Sequence, residues 1–584
     1  MKKFVKRSIA LGLAAITAAS CVMTGCGSSN SASSEKSRDF TWLIGTPVDH
    51  GYFDEYEENT SINYWLSKEW DVDGESVQIS VDFSAPASAD TAGDYMNTLI
   101  ATGEYPDVMD MINCSEGLLQ LYEEGIIIDL TEYVEKYMPN YMAWVEEHGA
   151  KSKLTTVVDG EEKYLQLYNL ADVMGDMWGG FMYRRDWIVT YGTNPETGEA
   201  FTGGYDSDGV WTDDVVFPSG NTYPVYISDW EWMFKIFDAA MADLGMSDGY
   251  CTQLWYYGEN PMGDFQSGFG FGCSQTYMNL DGKAEFGGTS DQMRAFVECM
   301  SNWYANGWID PTFDERSSDM FFMIDTASVY TGKVGSWWGL SSQLGNGLDA
   351  GDEYTSGIYA AAAPQPINDV YGDESCSGEP YTFYATSLIS RGITVTNKAE
   401  DKDIAALCTA IDYLYSEEGG LIRTYGLTSE QLAETDSTYY DEVGLSDGAY
   451  VINEDGEYQL DPVWMSEDGI QEVACCRRVP GLTVNSNTDR GYNANMQEAM
   501  DLWSLYEEKG SIGEEISGRL STEQANECST IETEYLTYTT INLPLFIKGE
   551  RDITDDADWQ DYVDGLEEYN PETKANYINE ILGN

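Results

Sequence analysis

An α/β fold is predicted for this chain of 584 residues, and three observations predict it. Stretches such as "VQISVDFS" (77–84) alternate apolar and polar residues at period two, as a half-buried strand does. The run from Glu116 to Glu147 instead carries apolar residues three and four apart, as helices do, with interruptions at Gly125 and Pro139. The two kinds of segment alternate along the whole chain, the order expected of sheets flanked by helices.

In chain order, the first segment lies outside the fold. Lys2, Lys3, Lys6 and Arg7 precede an apolar run from Ile9 to Ala19, the layout of a secretory signal peptide. That run is shorter than the ~20 residues of a membrane-spanning helix. Cys26 directly follows Thr24-Gly25, which resembles the lipobox of bacterial lipoproteins. The resemblance implies cleavage after residue 25 and a diacylated Cys26. Met23 stands where Leu is usual, and Cys21 after "AAS" is a second candidate. Residues 26–38 are rich in serine and cannot bury apolar surface, so a flexible tether is expected.

Beyond it, "FTWLIGTP" (40–47) reads as a strand ended by Gly and Pro. "TAGDYMNTLIATGEYPDVMDM" reads as a helix, a turn at Gly103 and a short strand from Asp107. "EKYLQLYNL" (162–170) and "GGFMYRRDWI" (179–188) read as strands, and 191–224 as a Gly/Asp/Thr-rich insertion. A helix is expected over 228–244, capped by Ser228 or Asp229 and stopped near Gly245.

Composition narrows the function. Asp and Glu number 101 against 30 Lys and Arg, a formal charge of −71. Such a surface repels nucleic acid and anionic headgroups, so no nucleic-acid partner is expected. With 42% hydrophobic and 13% aromatic residues the chain can pack cores rather than stay disordered. Nine of the eleven cysteines lie beyond Cys26, an odd number without a CxxC spacing, so buried thiols are expected rather than a disulfide framework or zinc site. His50 and His148 are the two histidines. There is no HExxH motif, and the GxSxG match at 444–448 has no histidine after Ser446 to serve as its base. Among so many carboxylates, a close acidic pair carries no information. No catalytic residue, cofactor or metal is therefore expected. Asp206, Asp208 and Gly209 look like part of a calcium loop, but the full ligand spacing is missing and an acidic loop is the expectation.

Six stretches in order resemble the sugar-binding lipoproteins of bacterial ABC importers, extracellular solute-binding protein family 1, in its long peptide-anchor-type subgroup. They are "TGEYPDVMDM", "YEEGIIIDLTEYVEKYMPNY", "FMYRRDWI", "NWYANGWIDPTF", "GKVGSWWG" and "AIDYLYSEEGG", followed by "LPLFIKGERDI" and "DWQDYV" near the end. The resemblance spans about 40–584, and the insertion at 191–224 departs from it. It implies a two-lobed periplasmic-binding-protein-like fold of type II, with a ligand cleft between lobes joined by hinge crossings. One lobe would comprise 39–165 and 364–470, the other 166–363 and 471–584.

The implied function is capture of a carbohydrate, an oligosaccharide, by a monomeric, lipid-anchored protein on the extracytoplasmic face of the membrane, for delivery to permease subunits. The alternatives are a surface-anchored glycosidase or esterase, and a peptide or amino-sugar receptor on the same fold. Sugar rings stack on aromatic faces, and the chain has 17 Trp and 41 Tyr. At positions that face the cleft in relatives, the resemblance implies ligand contacts by His50 and Tyr52 after the first strand, Asn113 after the Pro106-Asp107 loop, Trp178 in "GDMWGG", Trp255 and Tyr256 in "TQLWYYGEN", and Trp337 and Trp338 in "GSWWG". Neighbours on an extended segment face opposite sides, so at most one of Trp337 and Trp338 is expected to stack. Arg184 and Asp186 are expected to form a structural ion pair.

Overall fold

The computed structural model describes residues 36–583 apart from 48–58, 115–116, 178, 208, 255–264, 273–274, 316–325, 342–343, 345–356, 382–386, 436–438, 464–473, 507–508, 513–515 and 517–519. Ten strands form its two main sheets: β1 (Asp39–Leu43), β2 (Ser80–Ser84), β3 (Val108–Asp110), β4 (Leu167–Ala171), β5 (Gly179–Arg184), β6 (Tyr250–Thr252), β7 (Val334–Leu340), β8 (Ala360–Ala363), β9 (Ile389–Val395) and β10 (Leu482–Thr483). The first sheet has the order β10-β4-β9-β3-β1-β2 and the second β6-β7-β5-β8. In the first, β1 runs parallel to β2 and β3, while β9 runs antiparallel to both β3 and β4.

Each sheet has its own hydrophobic core, and this defines two lobes. Trp42, Trp65, Tyr141, Tyr164 and Ile411 belong to the core of the first. β5 is buried at all six positions because its sheet is covered on both faces. Phe181 and Tyr183 meet helix Ile227–Leu244 and helix Asp291–Ala305 on one side, while Met182 meets helix Ala494–Trp503 on the other. A 26-residue helix, Thr522–Ile547, packs against the same large core.

Sheet membership moves the expected lobe boundaries. β4 and β10, assigned to the second lobe by boundaries at 166 and 471, pair with each other in the first sheet. Cys376 and Tyr381, beyond the boundary at 364, pack in the core of the second lobe. The chain thus changes lobe after Ala171, between Tyr381 and Ile389, and after Thr483. Local patterns did not reveal this, because a strand's partner lies hundreds of residues away.

Two local readings also change. "GGFMYRRDWI" is a strand only to Arg184, and Arg185–Tyr191 is a helix. The helix expected over 228–244 begins at Ile227, and Asp229 lies inside its first turn. Asp229 still serves the helix entry, since its carboxylate accepts the N–H groups of Ser219 (2.9 Å), Val225 (2.9 Å) and Tyr226 (3.1 Å). At the other end Gly245 takes φ 72°, the left-handed conformation that ends helices cheaply when no Cβ is present.

Candidate functional site

The strand directions determine which edges face across the crossings. β4 ends at Ala171 and β5 begins at Gly179, so the two sheets approach each other at those ends. β1 and β3 run toward the same edge of the first sheet, bringing Gly45 together with Asp110, Ile112 and Asn113. β7 runs antiparallel to β5 and parallel to β6, so Leu340, Ser341 and Gln253 lie at the facing edge of the second sheet. In α/β sheets, ligands bind at such carboxyl ends of strands.

The first-lobe edge is polar and tightly bonded. The Asn113 side-chain amide donates to the Gly45 carbonyl. Asp110 accepts the N–H groups of Gly45 (3.2 Å) and Ile112 (2.9 Å). Burial pushes the Asp110 carboxyl up, opposed by those two N–H groups and by the charges of Arg478 and Arg391. Arg391 reaches this edge from a bulge in β9, and its guanidinium donates to the carbonyls of Met111 (3.3 Å) and Ile112 (3.4 Å). A Cβ on Gly45 would lie 2.2 Å from Ile112 Cγ2 and 3.0 Å from the Asp110 carboxyl, so a larger residue would push these side chains aside.

The crossings themselves are tied together. Asp172, just beyond β4, accepts the N–H groups of Asn485 (2.8 Å) and Ser486 (3.2 Å) and the Ser486 hydroxyl. Asn485 returns a bond to the Val173 carbonyl (3.0 Å), and Arg490 pairs with Asp176 at 3.3 Å. The first and third crossings are therefore bonded into one strap. Buried Arg423 backs it by donating to Asn169 (3.0 Å) and Thr483 (2.7 Å).

The expected ligand residues fall into three groups. Asn113 stands at the facing edge. Cys26, His50, Tyr52, Trp178, Trp255 and Tyr256 lie outside the described residues. Trp337 and Trp338 stand on β7, but both rings are buried, at 1% and 4% exposure. Trp337 packs with Met182, Val334 and Trp503, and the Trp338 ring fills the space over Gly179, where a Cβ would lie 2.5 Å from it. Trp337 thus belongs to a core under helix Ala494–Trp503, and Trp338 is buried beside Gly179 at the start of β5. Asp110, Asp172 and Arg391 were missed, since nothing in their local sequence separates them from the many other charged residues. The Arg184–Asp186 pair is structural, with two bonds of 2.7 and 2.8 Å.

In the insertion three of the described carboxylates have partners, and Asp208 of the expected calcium-like loop lies outside the described residues. Asp213 pairs with Arg185 (2.8 Å), Asp214 accepts from Thr202 (2.6 Å) and Asp206 accepts from Val210 (3.0 Å). Among the described residues no group of three or more His, Cys, Asp or Glu side chains could hold a metal ion. Eight cysteines beyond Cys26 are described, all buried and unbridged. Ser446 follows helix Tyr439–Glu442 in a turn, not the strand-to-helix elbow of a hydrolase. No described helix is long and apolar enough to cross a membrane.

No protein-family model matches the chain, and no curated protein matches it. Solved structures do. An extracellular solute-binding protein from Bifidobacterium longum subsp. infantis superimposes with a TM-score of 0.63 at 14% identity, over 93% of this chain and 98% of that one. The S. pneumoniae ABC-transporter substrate binding protein FusA, in complex with kestose, gives 0.57 at 14% identity over 94% and 100%. The alginate-binding protein AlgQ2 gives 0.58 at 14% identity over 94% and 99%. The two-lobed solute-binding-protein fold is thereby shown.

Proposed function

We propose that this chain, built on the fold of extracellular solute-binding proteins, captures an oligosaccharide between its lobes and delivers it to the permease of an ABC importer. The observation that carries the reading is the similarity over nearly the full length of both chains to structures whose ligands are sugars, kestose among them. The site chemistry supports it. Sugar hydroxyls need donors and acceptors together, and Asp110, Asn113 and Arg391 offer both at one edge. His50 and Tyr52 after β1, Trp178 before β5, and Trp255 and Tyr256 after β6 are the proposed partners for the sugar rings. The protein binds without turnover, acts as a monomer, and is held at the outer face of the membrane through a diacylated Cys26.

Calorimetry against a panel of plant, host and microbial oligosaccharides tests the function. Saturable binding with no new product on chromatography supports it. Product formation, or no binding across the panel, overturns it. Asn113→Ala should weaken the cognate sugar roughly three- to tenfold, the value of a hydrogen bond of about 0.5–1.5 kcal/mol. Cys26→Ser should release the protein from cells. A native mature chain without acyl groups by mass spectrometry would refute the anchor.

A further inference from the structure

The second lobe has another cavity, at the opposite end of β5 from the crossings. Five residue steps at ~3.3 Å separate Gly179 from Arg184, so this cavity lies roughly 17 Å from the crossing edge. Its volume is about 570 Å³, within the ~300–1,000 Å³ usual for small-molecule sites. The 191–224 insertion builds one wall, with Gly204, Tyr205 and Trp211. Arg184, Asp186 and Tyr359, the last just before β8, also line the cavity.

The lining specifies a ligand type. Tyr205 stacks on Tyr359, with centroids 3.7 Å apart and planes at 17°, and meets the edge of Trp211 at 5.5 Å. Tyr205 nevertheless stays 41% exposed, unusual for a ring in an aromatic cluster. The Arg184 guanidinium and Asp186 carboxylate cancel through their two bonds, so the wall offers no net charge to an ion. Burial, together with Tyr359 and the charge of Asp186, pushes the Tyr205 hydroxyl up to about 12. A partly exposed, stacked tyrosine pair, phenolic hydroxyls and a charge-neutral wall suit a neutral polyhydroxylated ring. They suit a phosphate poorly, because the Arg184 guanidinium is already paired with Asp186.

We propose that this cavity is a second carbohydrate site, which takes one hexopyranose unit of a neutral glycan against Tyr205 and Tyr359, independently of the cleft. The proposal rests on the carbohydrate reading only for the choice of ligand, not for the geometry.

The test uses methyl glycosides of glucose, galactose, mannose and N-acetylglucosamine, measured by saturation-transfer NMR and calorimetry on the full mature chain. At least one glycoside should bind the wild type, and Y205A/Y359A should weaken it tenfold or more. Y205F/Y359F should retain part of the affinity, because the rings remain. Cognate oligosaccharide binding in the cleft should be the same in all three proteins. Unchanged glycoside binding in Y205A/Y359A overturns the second site and leaves the cleft reading intact. Loss of both glycoside and oligosaccharide binding, with a normal unfolding temperature, means one shared site and also overturns it. Absence of glycoside binding in the wild type overturns it outright. Displacement of a bound glycoside by tetramethylammonium would make the cavity a cation site and overturn the sugar assignment.

Discussion

Asp412 lies 3% exposed at the end of helix Ile404–Tyr413, where its carboxylate accepts the N–H groups of Asn140 (3.2 Å) and Tyr141 (2.9 Å) at the start of helix Pro139–Glu147. It joins two helices of the first lobe, yet burial outweighs those bonds and pushes its carboxyl up to about 6. A carboxyl raised in the folded state binds its proton more tightly there than when unfolded. Its contribution to stability is therefore fully present below about pH 4 and is lost as pH rises through 6. Relative to Asp412→Asn, the wild type should gain on the order of 2 kcal/mol between pH 7 and pH 4, read from urea unfolding. Equal pH slopes for the two proteins would show that the carboxylate is solvated. Residue-scale function was only partly legible in the sequence. Asn113 stands at the facing edge, and the Pro-Asp loop that opens the strand before it is a local signal. Trp337 and Trp338 look the same in the sequence whether a ligand or a helix covers them, and the helix that covers Trp337 begins at residue 494.

Among the elements, β5 depends most on its glycines. A Cβ on Gly180 would lie 2.4 Å from the Trp503 indole, whose N–H donates to the Phe181 carbonyl at 3.1 Å. Helix Ala494–Trp503 thus docks on the sheet through a slot that glycine leaves open. Gly180→Ala should lower stability by about 1–3 kcal/mol, the usual cost of overpacking, seen as a lower unfolding temperature and altered tryptophan fluorescence. An unchanged temperature would mean that the helix shifts at little cost. The sequence revealed elements best where their signals are local. The polar start at Ser228 and Asp229 and the stop at Gly245 located one helix to within a residue. The strand read through Arg184 failed because Tyr183, Trp187 and Ile188 are apolar in both conformations, and only the tertiary fold decides where one ends.

Across the whole molecule, the strap bonds the first crossing to the third through Asp172, Asn485 and Ser486. Ligand contacts on both lobes would favour closure, so adding the cognate sugar should reduce the radius of gyration in small-angle scattering. An unchanged radius on tight binding would indicate that the lobes do not close on this ligand. Asp172→Ala removes the bonds to Asn485 and Ser486 and should change the sugar affinity several-fold without touching the sugar, by shifting the open–closed balance. Identical affinity and radius would show that the strap does not govern closure. The two-lobed plan was legible from motif order, while the crossing points were not, because they depend on pairings such as β4 with β10 across more than 300 residues. That interleaving also governs how the protein can be divided. Each lobe is assembled from separated stretches, so no single cut yields an intact half. A fragment stopping near residue 380 would carry a first sheet without β9 and β10 and a second lobe without the Thr522–Ile547 helix. During synthesis neither lobe can be completed early, and the chain stays unfinished until its last hundred residues have been made.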